Sequence, residues 1–314
     1  MGTAKELDQF YTRPEVSLAC VKRLRTLLPT LGYGDDLAPV SGAGPLTGVT
    51  FIEPSAGTGS FLKALDPGET WVAGDIDPKF PGVLERNFLT EELEVSAPRE
   101  ECVVLGNPPF GKKAALALAF IERGFDYADT VAFVLPIQLR KYITQKRLRA
   151  DARLIYDELT PEVSFEFNGK PYEVRCVFQV WTLRKTNAIT GDPLVDLRQR
   201  TAPPTKHPDF EAWIYNATPQ AEKVFHEDWE FVILRQGWGD FTPKMRADDP
   251  ELSKKVQWIF VKPLSERARK NLLSIDYEDL AKRNTSVRGF GKADLVDEYT
   301  RRFGPGEPER PALF

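Results

Sequence analysis

Six residues constrain this chain more than any others: Gly106-Asn107-Pro108-Pro109-Phe110-Gly111, directly after the apolar run Cys102-Val103-Val104-Leu105. Two consecutive prolines fix φ and remove two backbone donors, so neither a helix nor a central strand continues through them. The run before them reads as a strand that stops at the edge of a pocket. With two donors gone, nearby carbonyls stay free to accept, and the Asn side chain adds an acceptor oxygen. The Phe ring offers a stacking face. Two acceptors and one flat plate suit an exocyclic NH2, which has two hydrogens to donate.

About fifty residues upstream, Phe51-Ile52-Glu53-Pro54-Ser55-Ala56-Gly57-Thr58-Gly59-Ser60 takes an apolar strand into a small-residue turn. The turn lacks the third glycine of a dinucleotide fingerprint and the Gly-Lys-Ser/Thr of a phosphate loop. Glu53 at the strand end repels phosphate and welcomes an ammonium group. The next strand, Thr70 to Ile76, ends in Asp75, with Asp77-Pro78 after it. A carboxylate about twenty residues past a Gly-rich turn suits a ribose diol. Together these features describe a ligand with an amino group, a ribose and no phosphate.

The set resembles the S-adenosylmethionine-dependent N6-adenine DNA methyltransferases of the Asn-Pro-Pro-Phe type. Asp8-Gln9-Phe10-Tyr11-Thr12-Arg13-Pro14 is similar to the segment that covers the methionine part of the cofactor in that family. The cofactor loop precedes Asn107-Pro108-Pro109-Phe110 with no room for a large insert between them. That order is similar to the family's gamma arrangement, in which target recognition lies C-terminal. The resemblance spans roughly residues 5 to 185.

The resemblance implies a site, residue by residue. Glu53 meets the methionine amine. Pro54, Ser55, Ala56, Gly57 and Gly59 let backbone approach the cofactor. Asp75 accepts from the ribose hydroxyls, and Ile76 and Phe88 pack near the adenine. Asn87 stands where the family usually has Asp. Tyr11 and Thr12 close over the methionine end. Asn107 Oδ1 and the Pro108 carbonyl accept the N–H bonds of the target amine, with Pro109 and Phe110 completing the turn. Phe110 stacks on the target base, and Phe165 or Phe167 is the opposing plate; the two alternate onto one face, so sequence does not choose. The target base must be flipped out of a duplex or be single-stranded. Arg140, Lys141, Lys146 and Arg147 form a basic cluster suited to phosphates. A second cluster is Lys254, Lys255, Lys262, Arg267, Arg269 and Lys270. Trp238, between Gly237 and Gly239, is the tryptophan best suited to an exposed contact.

Alternating strands and helices predict an α/β chain with a doubly wound sheet. The expected fold is the class I methyltransferase, Rossmann-like, mixed seven-stranded sheet, with a smaller C-terminal α+β region. Helices are expected over residues 14–31, 58–65, 113–127 and the basic segment after 136. Strands are expected near 49–54, 70–76, 83–88, 102–105, 130–135 and 152–159. Residues 163–181 read as a hairpin with an Asn168-Gly169 turn that closes the sheet. The domains expected are 1–185 for methyl transfer, a linker over 186–209, an accessory or target-recognition region over 210–303 and a flexible tail over 304–314. The 210–303 region includes a basic loop from Asn284 to Lys292 before a final helix.

Bulk properties exclude several classes. With a net charge of −4 over 314 residues, nucleic-acid binding has to come from local basic patches. No apolar run approaches ~18 residues and no leader is evident, so a cytoplasmic protein of a bacterial or phage-infected cell is expected, with no membrane partner. The three cysteines lack metal-ligand spacing, and no metal is expected. With only two histidines, both C-terminal, a mechanism without a catalytic imidazole is expected. The rival functions are an RNA N6-adenine methyltransferase, a protein glutamine N5-methyltransferase and an inactive S-adenosylmethionine-binding module. A restriction endonuclease partner stays open.

Overall fold

The computed structural model describes residues 10–34, 45–167, 170–248, 250–283 and 287–306. Asp8, Gln9, the Asn168-Gly169 turn, Asn284–Ser286 of the basic loop and most of the tail lie outside them, as does the Phe167 side chain. The chain divides into two compact units, residues 1–200 and 201–314.

The first unit begins with β1 (Tyr11–Thr12) and α1 (Pro14–Leu27). Pro14 sits at the start of that helix, where its missing N–H costs nothing. The following strands are β2 (Thr50–Glu53), β3 (Thr70–Asp75), β4 (Leu84–Glu85) and β5 (Cys102–Gly106). Then come α2 (Ala115–Tyr127), β6 (Thr130–Pro136), the one-turn α3 (Tyr142–Gln145) and β7 (Arg153–Leu159). The unit closes with β8 (Phe165–Phe167), β9 (Lys170–Tyr172) and β10 (Cys176–Thr182). Seven of these strands form one sheet in the order β4-β3-β2-β5-β6-β10-β7. The first five are parallel; β10 runs antiparallel between β6 and β7. Counted along the chain the order is 3-2-1-4-5-7-6, and this is the class I methyltransferase fold. Strands β2, β5, β6 and β10 are buried throughout, as central strands covered on both faces must be.

Four expectations change. The helix expected at 58–65 is only a 3₁₀ turn, Leu62–Ala64. Gly57 and Gly59 both take positive φ, and Pro67 follows, which leaves too few residues to nucleate an α-helix. The basic helix is a single turn because its carbonyls are taken elsewhere. Arg198 donates to the carbonyls of Gln145 (2.6 Å), Leu148 (2.7 Å), Arg149 (2.6 Å) and Ala152 (3.2 Å). The hairpin at 163–181 splits in two: β8 and β9 join β1 in a separate three-stranded sheet, and β10 enters the large sheet. The antiparallel pair that completes the large sheet is therefore β7 with β10. Residues 186–200, read as linker, pack on the first unit through Arg198 and a Leu197 N–H donated to Leu154 O.

The second unit holds a four-stranded antiparallel sheet of β11 (Phe210–Tyr215), β12 (Phe231–Leu234), β13 (Lys244–Met245) and β14 (Trp258–Pro263), ordered β11-β14-β12-β13. Helices α4 (Glu266–Leu273), α5 (Tyr277–Arg283) and α6 (Lys292–Phe303) supply Leu272, Leu280 and Leu295 to its core. Among the described residues no helix is long and apolar enough to cross a membrane.

Arg198 offers a test of the first unit. Replacing it with Met keeps the stem and strands the carbonyls of Leu148 and Arg149, while Gln145 O keeps the Leu148 N–H and Ala152 O keeps Arg200. Each unmet buried group costs about 1–3 kcal/mol before water repairs it, so a net loss of about 2–4 kcal/mol is expected. Urea unfolding of the parent and Arg198→Met would read it; equal midpoints would show that the guanidinium holds nothing.

Candidate functional site

The C-terminal ends of β2, β3 and β5 open into one pocket, where ligands of open α/β sheets bind. It is a narrow, solvent-open cleft with an accessible cavity volume of about 90 Å³. Its walls bring together Tyr11, Thr12, Glu53, Pro54, Ser55, Ala56, Gly57, Asp75, Ile76, Phe88, Asn107 and Pro109 from the expected site. Segments nearly a hundred residues apart thus converge. Phe10, Thr58, Ser60, Phe61, Asp77 and Phe120 also line it and were not singled out by sequence reasoning. Phe61 and Phe120 carry no sequence signal that separates pocket wall from core. Phe10 lay inside a recognised motif, where its ring was the available clue.

The lining contains three carboxylates and no lysine or arginine. Glu53 is 1% exposed, and its Oε2 has no partner. Burial first, and the Asp75 charge second, push its carboxyl well above the ordinary range; a backbone hydrogen bond at Leu62 opposes them. Asp75 is fastened by the loops around it. Its Oδ2 accepts from Gly57 N at 2.7 Å and its Oδ1 from Asp77 N at 2.7 Å. Gly57 has φ +50°, and a Cβ there would lie 3.0 Å from the Tyr11 ring. At Gly59, φ is +73° and a Cβ would lie 2.5 Å from Phe80. Both positions therefore require glycine.

Asn107 leaves β5 with its amide directed by its neighbours. Nδ2 donates to the Phe10 carbonyl at 3.1 Å, and the Asn107 carbonyl accepts from Ser55 Oγ at 3.1 Å. Its Oδ1 is buried with no partner. Thr12 Oγ1 is likewise buried and unpartnered, while Thr12 O accepts from Ser60 Oγ at 2.6 Å. Pro108 is buried behind the turn, and Phe110 is half-buried.

Some expected residues fall elsewhere. Asn87 is exposed and does not line the pocket; its Oδ1 accepts from Leu89 N at 3.1 Å, closing a turn. Short polar side chains favour such local bonds, and here that bond wins. Phe165 is fully buried, so its face is not available to a base. It pairs with Thr12 across β1 and β8 and meets Phe110 edge-on, centroids 6.2 Å apart. In the basic cluster, Arg140 is tied to Asp157 at 2.8 Å. Lys146 lies over the Tyr142 ring, and Arg147 donates to Lys113 O. In the second cluster Lys254, Lys262, Arg267 and Arg269 pair with Glu222, Asp228, Asp209 and Glu230. Trp238 is 77% exposed, with the Arg288 guanidinium 5.4 Å from its ring centre. Among the described residues no group of His, Cys, Asp and Glu is arranged to hold a metal.

No protein-family model matches the chain, and no curated protein does. Among solved structures, the Type IIL restriction-modification enzyme MmeI, in complex with DNA, superposes with a TM-score of 0.47 at 12% identity, over 92% of this chain and 64% of that one. The M protein of the Type I restriction enzyme EcoKI gives 0.36 at 12% identity, over 95% and 71%. The 23S rRNA methyltransferase ErmE gives 0.36 at 15% identity, over 59% and 72%. These scores are low, and the fold is assigned from strand order alone.

The Glu53 shift has a definite sign. The folded protein holds this proton more tightly than the unfolded chain does. The resulting stability is complete below the unfolded pKa, about 4.3, and is lost as pH rises through the raised folded value. Glu53→Gln cannot ionise, so its melting temperature should exceed that of the parent by a margin that grows above about pH 5. Melting curves of both proteins from pH 5 to 9 would test this. Parallel curves would mean that Glu53 is ionised in the fold.

Proposed function

We propose that the chain transfers a methyl group from S-adenosylmethionine to the N6 amine of an adenine in DNA, taken out of the base stack. One observation supports this above the rest: Asn107 Oδ1, buried and without a partner, stands beside a pocket whose only charged groups are acids.

The pocket chemistry fits the cofactor. A cationic ligand suits Glu53 and Asp75, which meet no lysine or arginine in the lining, and a polyphosphate does not; the third carboxylate, Asp77, is already paired with Lys79 at 2.5 Å. Glu53 and Thr12, each with an unpartnered buried oxygen, would take the methionine end. Asp75 would take the ribose hydroxyls, and Ile76 with Phe88 would pack on the adenine. When bound, the cofactor supplies an electrophilic methyl group on a sulfonium. The chain's own residues prepare the nucleophile.

Adenine N6 is a poor nucleophile because its lone pair is delocalised into the ring. Asn107 Oδ1 accepts one N–H, with the Pro108 carbonyl as the second acceptor. Both bonds strengthen as positive charge develops on nitrogen, so they favour the transition state over the bound substrate. Phe110 supplies the stacking face, and Phe165 supports that ring from its edge. The reaction needs positioning more than a strong base, which accords with the absence of histidine from the pocket lining.

DNA is the favoured polymer because the separate second unit gives a surface for reading a target sequence. It presents the exposed Trp238 ring, a plate suited to a base, beside Arg288, whose guanidinium is itself paired with Glu278 at 2.5 Å.

Tritiated methyl transfer to unmethylated duplex DNA, single-stranded DNA and total RNA, with N6-methyladenine read by mass spectrometry, tests the assignment. Label in duplex DNA is expected; label in RNA alone would overturn the substrate, and no label at all would overturn the reaction. Asn107→Ala should lower kcat by about 100-fold or more with little change in cofactor affinity. Asp75→Ala should weaken cofactor binding by about 10–100-fold. Turnover by Asn107→Ala equal to the parent would sink the mechanism. Trp238→Ala should weaken DNA binding by about tenfold in fluorescence anisotropy. Unchanged affinity would remove Trp238 from the interface.

A further inference from the structure

The catalytic reading above needs Asn107 to present oxygen, not nitrogen, to the target amine. An amide can turn over by 180°, and the two orientations differ little in shape. Only the partners of the amide decide between them. The Phe10 carbonyl, 3.1 Å from Nδ2, can accept but cannot donate. It therefore holds the NH2 on its own side and leaves Oδ1 as the unpartnered end. With the amide reversed, an N–H donor would face the N–H donors of an amino group. The Asn107 carbonyl is already fastened by Ser55, so side-chain rotation is the freedom that matters.

The Phe10 carbonyl is itself held from outside the large sheet. The Phe10 ring stacks on Tyr172 with centroids 4.7 Å apart and planes 5° from parallel. Tyr172 ends β9, opposite Phe165 of β8. Next to Phe10, Tyr11 and Thr12 pair with Glu166 and Phe165. Arg13 N donates to Ser164 O at 3.0 Å. The N-terminal strand is thus clipped to the β8–β9 hairpin on one side and presents its carbonyl to Asn107 on the other.

We propose that Tyr172 is a positioning residue: by stacking on Phe10 it seats the Phe10 carbonyl, which orders the Asn107 amide with its oxygen toward the target amine. The inference rests on the methyl-transfer reading of the site, yet the orientation of the amide can be measured without turnover. Tyr172 is not itself part of the pocket lining and meets it through the Phe10 ring, so its main effect is expected in kcat and less in cofactor binding.

The test compares the parent with Tyr172→Phe, which keeps the flat ring, and Tyr172→Ala, which removes it. The side-chain amide of Asn107 is followed by 1H–15N NMR, assigned by its disappearance in Asn107→Ala. Slow exchange of the amide protons is expected in the parent and in Tyr172→Phe, and faster exchange in Tyr172→Ala. In turnover, Tyr172→Ala should lose about 10–100-fold in kcat with KM for S-adenosylmethionine within about twofold, and Tyr172→Phe should recover it. Unaltered amide exchange in Tyr172→Ala would overturn the proposal. So would a loss confined to KM. If the amide loosens as expected but the parent methylates no nucleic acid, the positioning role stands and the reading of the reaction fails. Should Tyr172→Ala not fold, Tyr172→Leu keeps the bulk without a stacking face and reads the same two quantities.

Discussion

A buried polar atom without a partner costs about 1–3 kcal/mol, and folded chains rarely keep one without use for it. Among the described side chains four atoms are in this condition: Thr12 Oγ1, Glu53 Oε2, Asn107 Oδ1 and Arg184 Nε. Three of the four line one pocket. Together they represent several kcal/mol of unmet hydrogen bonding, kept by a frame stiff enough not to relax around it. The site is best understood as the place where that frame holds acceptors open.

The frame is the set of parallel strands whose carboxyl ends meet there. Strands β2 and β5 are buried over their whole lengths, so the residues that end them cannot shift without moving the core. Glu53 ends β2, and a Cβ on Gly106, which ends β5, would lie 3.3 Å from its Cγ. The two strand ends are therefore packed to the limit that glycine allows. From there the prolines turn the chain sharply, and Ser55 ties the turn back to the loop after β2. Asp75 reaches across to Gly57 from the third strand. The cofactor loop and the Asn-Pro-Pro turn are thus one fastened structure. From outside the sheet come the Phe10 carbonyl on Asn107 and the bonds of Ser60 to Thr12 and Ser17.

Strands β2, β3, β5 and β6 of the large sheet were legible because each is a short, largely apolar run ended by Gly, Pro or an acid. The same feature exposed Glu53, Asp75 and Asn107, since residues at the carboxyl ends of such strands face the ligand side. What failed to show was decided at a distance. Nothing near residue 140 signals that Arg198, over fifty residues on, will take the carbonyls of Gln145 and Leu148 and stop the helix. Asn87 offered an acceptor by type, but a local bond to Leu89 claims it. Phe165 had the right residue type and the right place before the last strand, and burial took its face. The segment read as one hairpin splits: β10 enters the large sheet as expected, but β8 and β9 pair with each other and with β1 instead. The partner of β8, Tyr11–Thr12, lies about 150 residues away, and register between such segments has no local trace.

The charge distribution adds one more constraint on how a nucleic acid would be held. Glu53, Asp75 and Asp77 make the pocket acidic, and the chain as a whole carries −4. Much of the apparent basic surface is already spoken for: Arg140 by Asp157, and four cations of the second cluster by acids beside them. A polyanion would have to displace those acids before it gained their partners. Binding built on such a surface releases few counterions and so depends weakly on salt. It must rely instead on contacts that a phosphate chain cannot supply. Stacking on an exposed ring such as Trp238 is one, and a base drawn out toward Asn107 and Phe110 is the other. Under the proposed methyl transfer, affinity and chemistry would share one source, because a base leaving its stack to be methylated would also be a contact that holds the polymer.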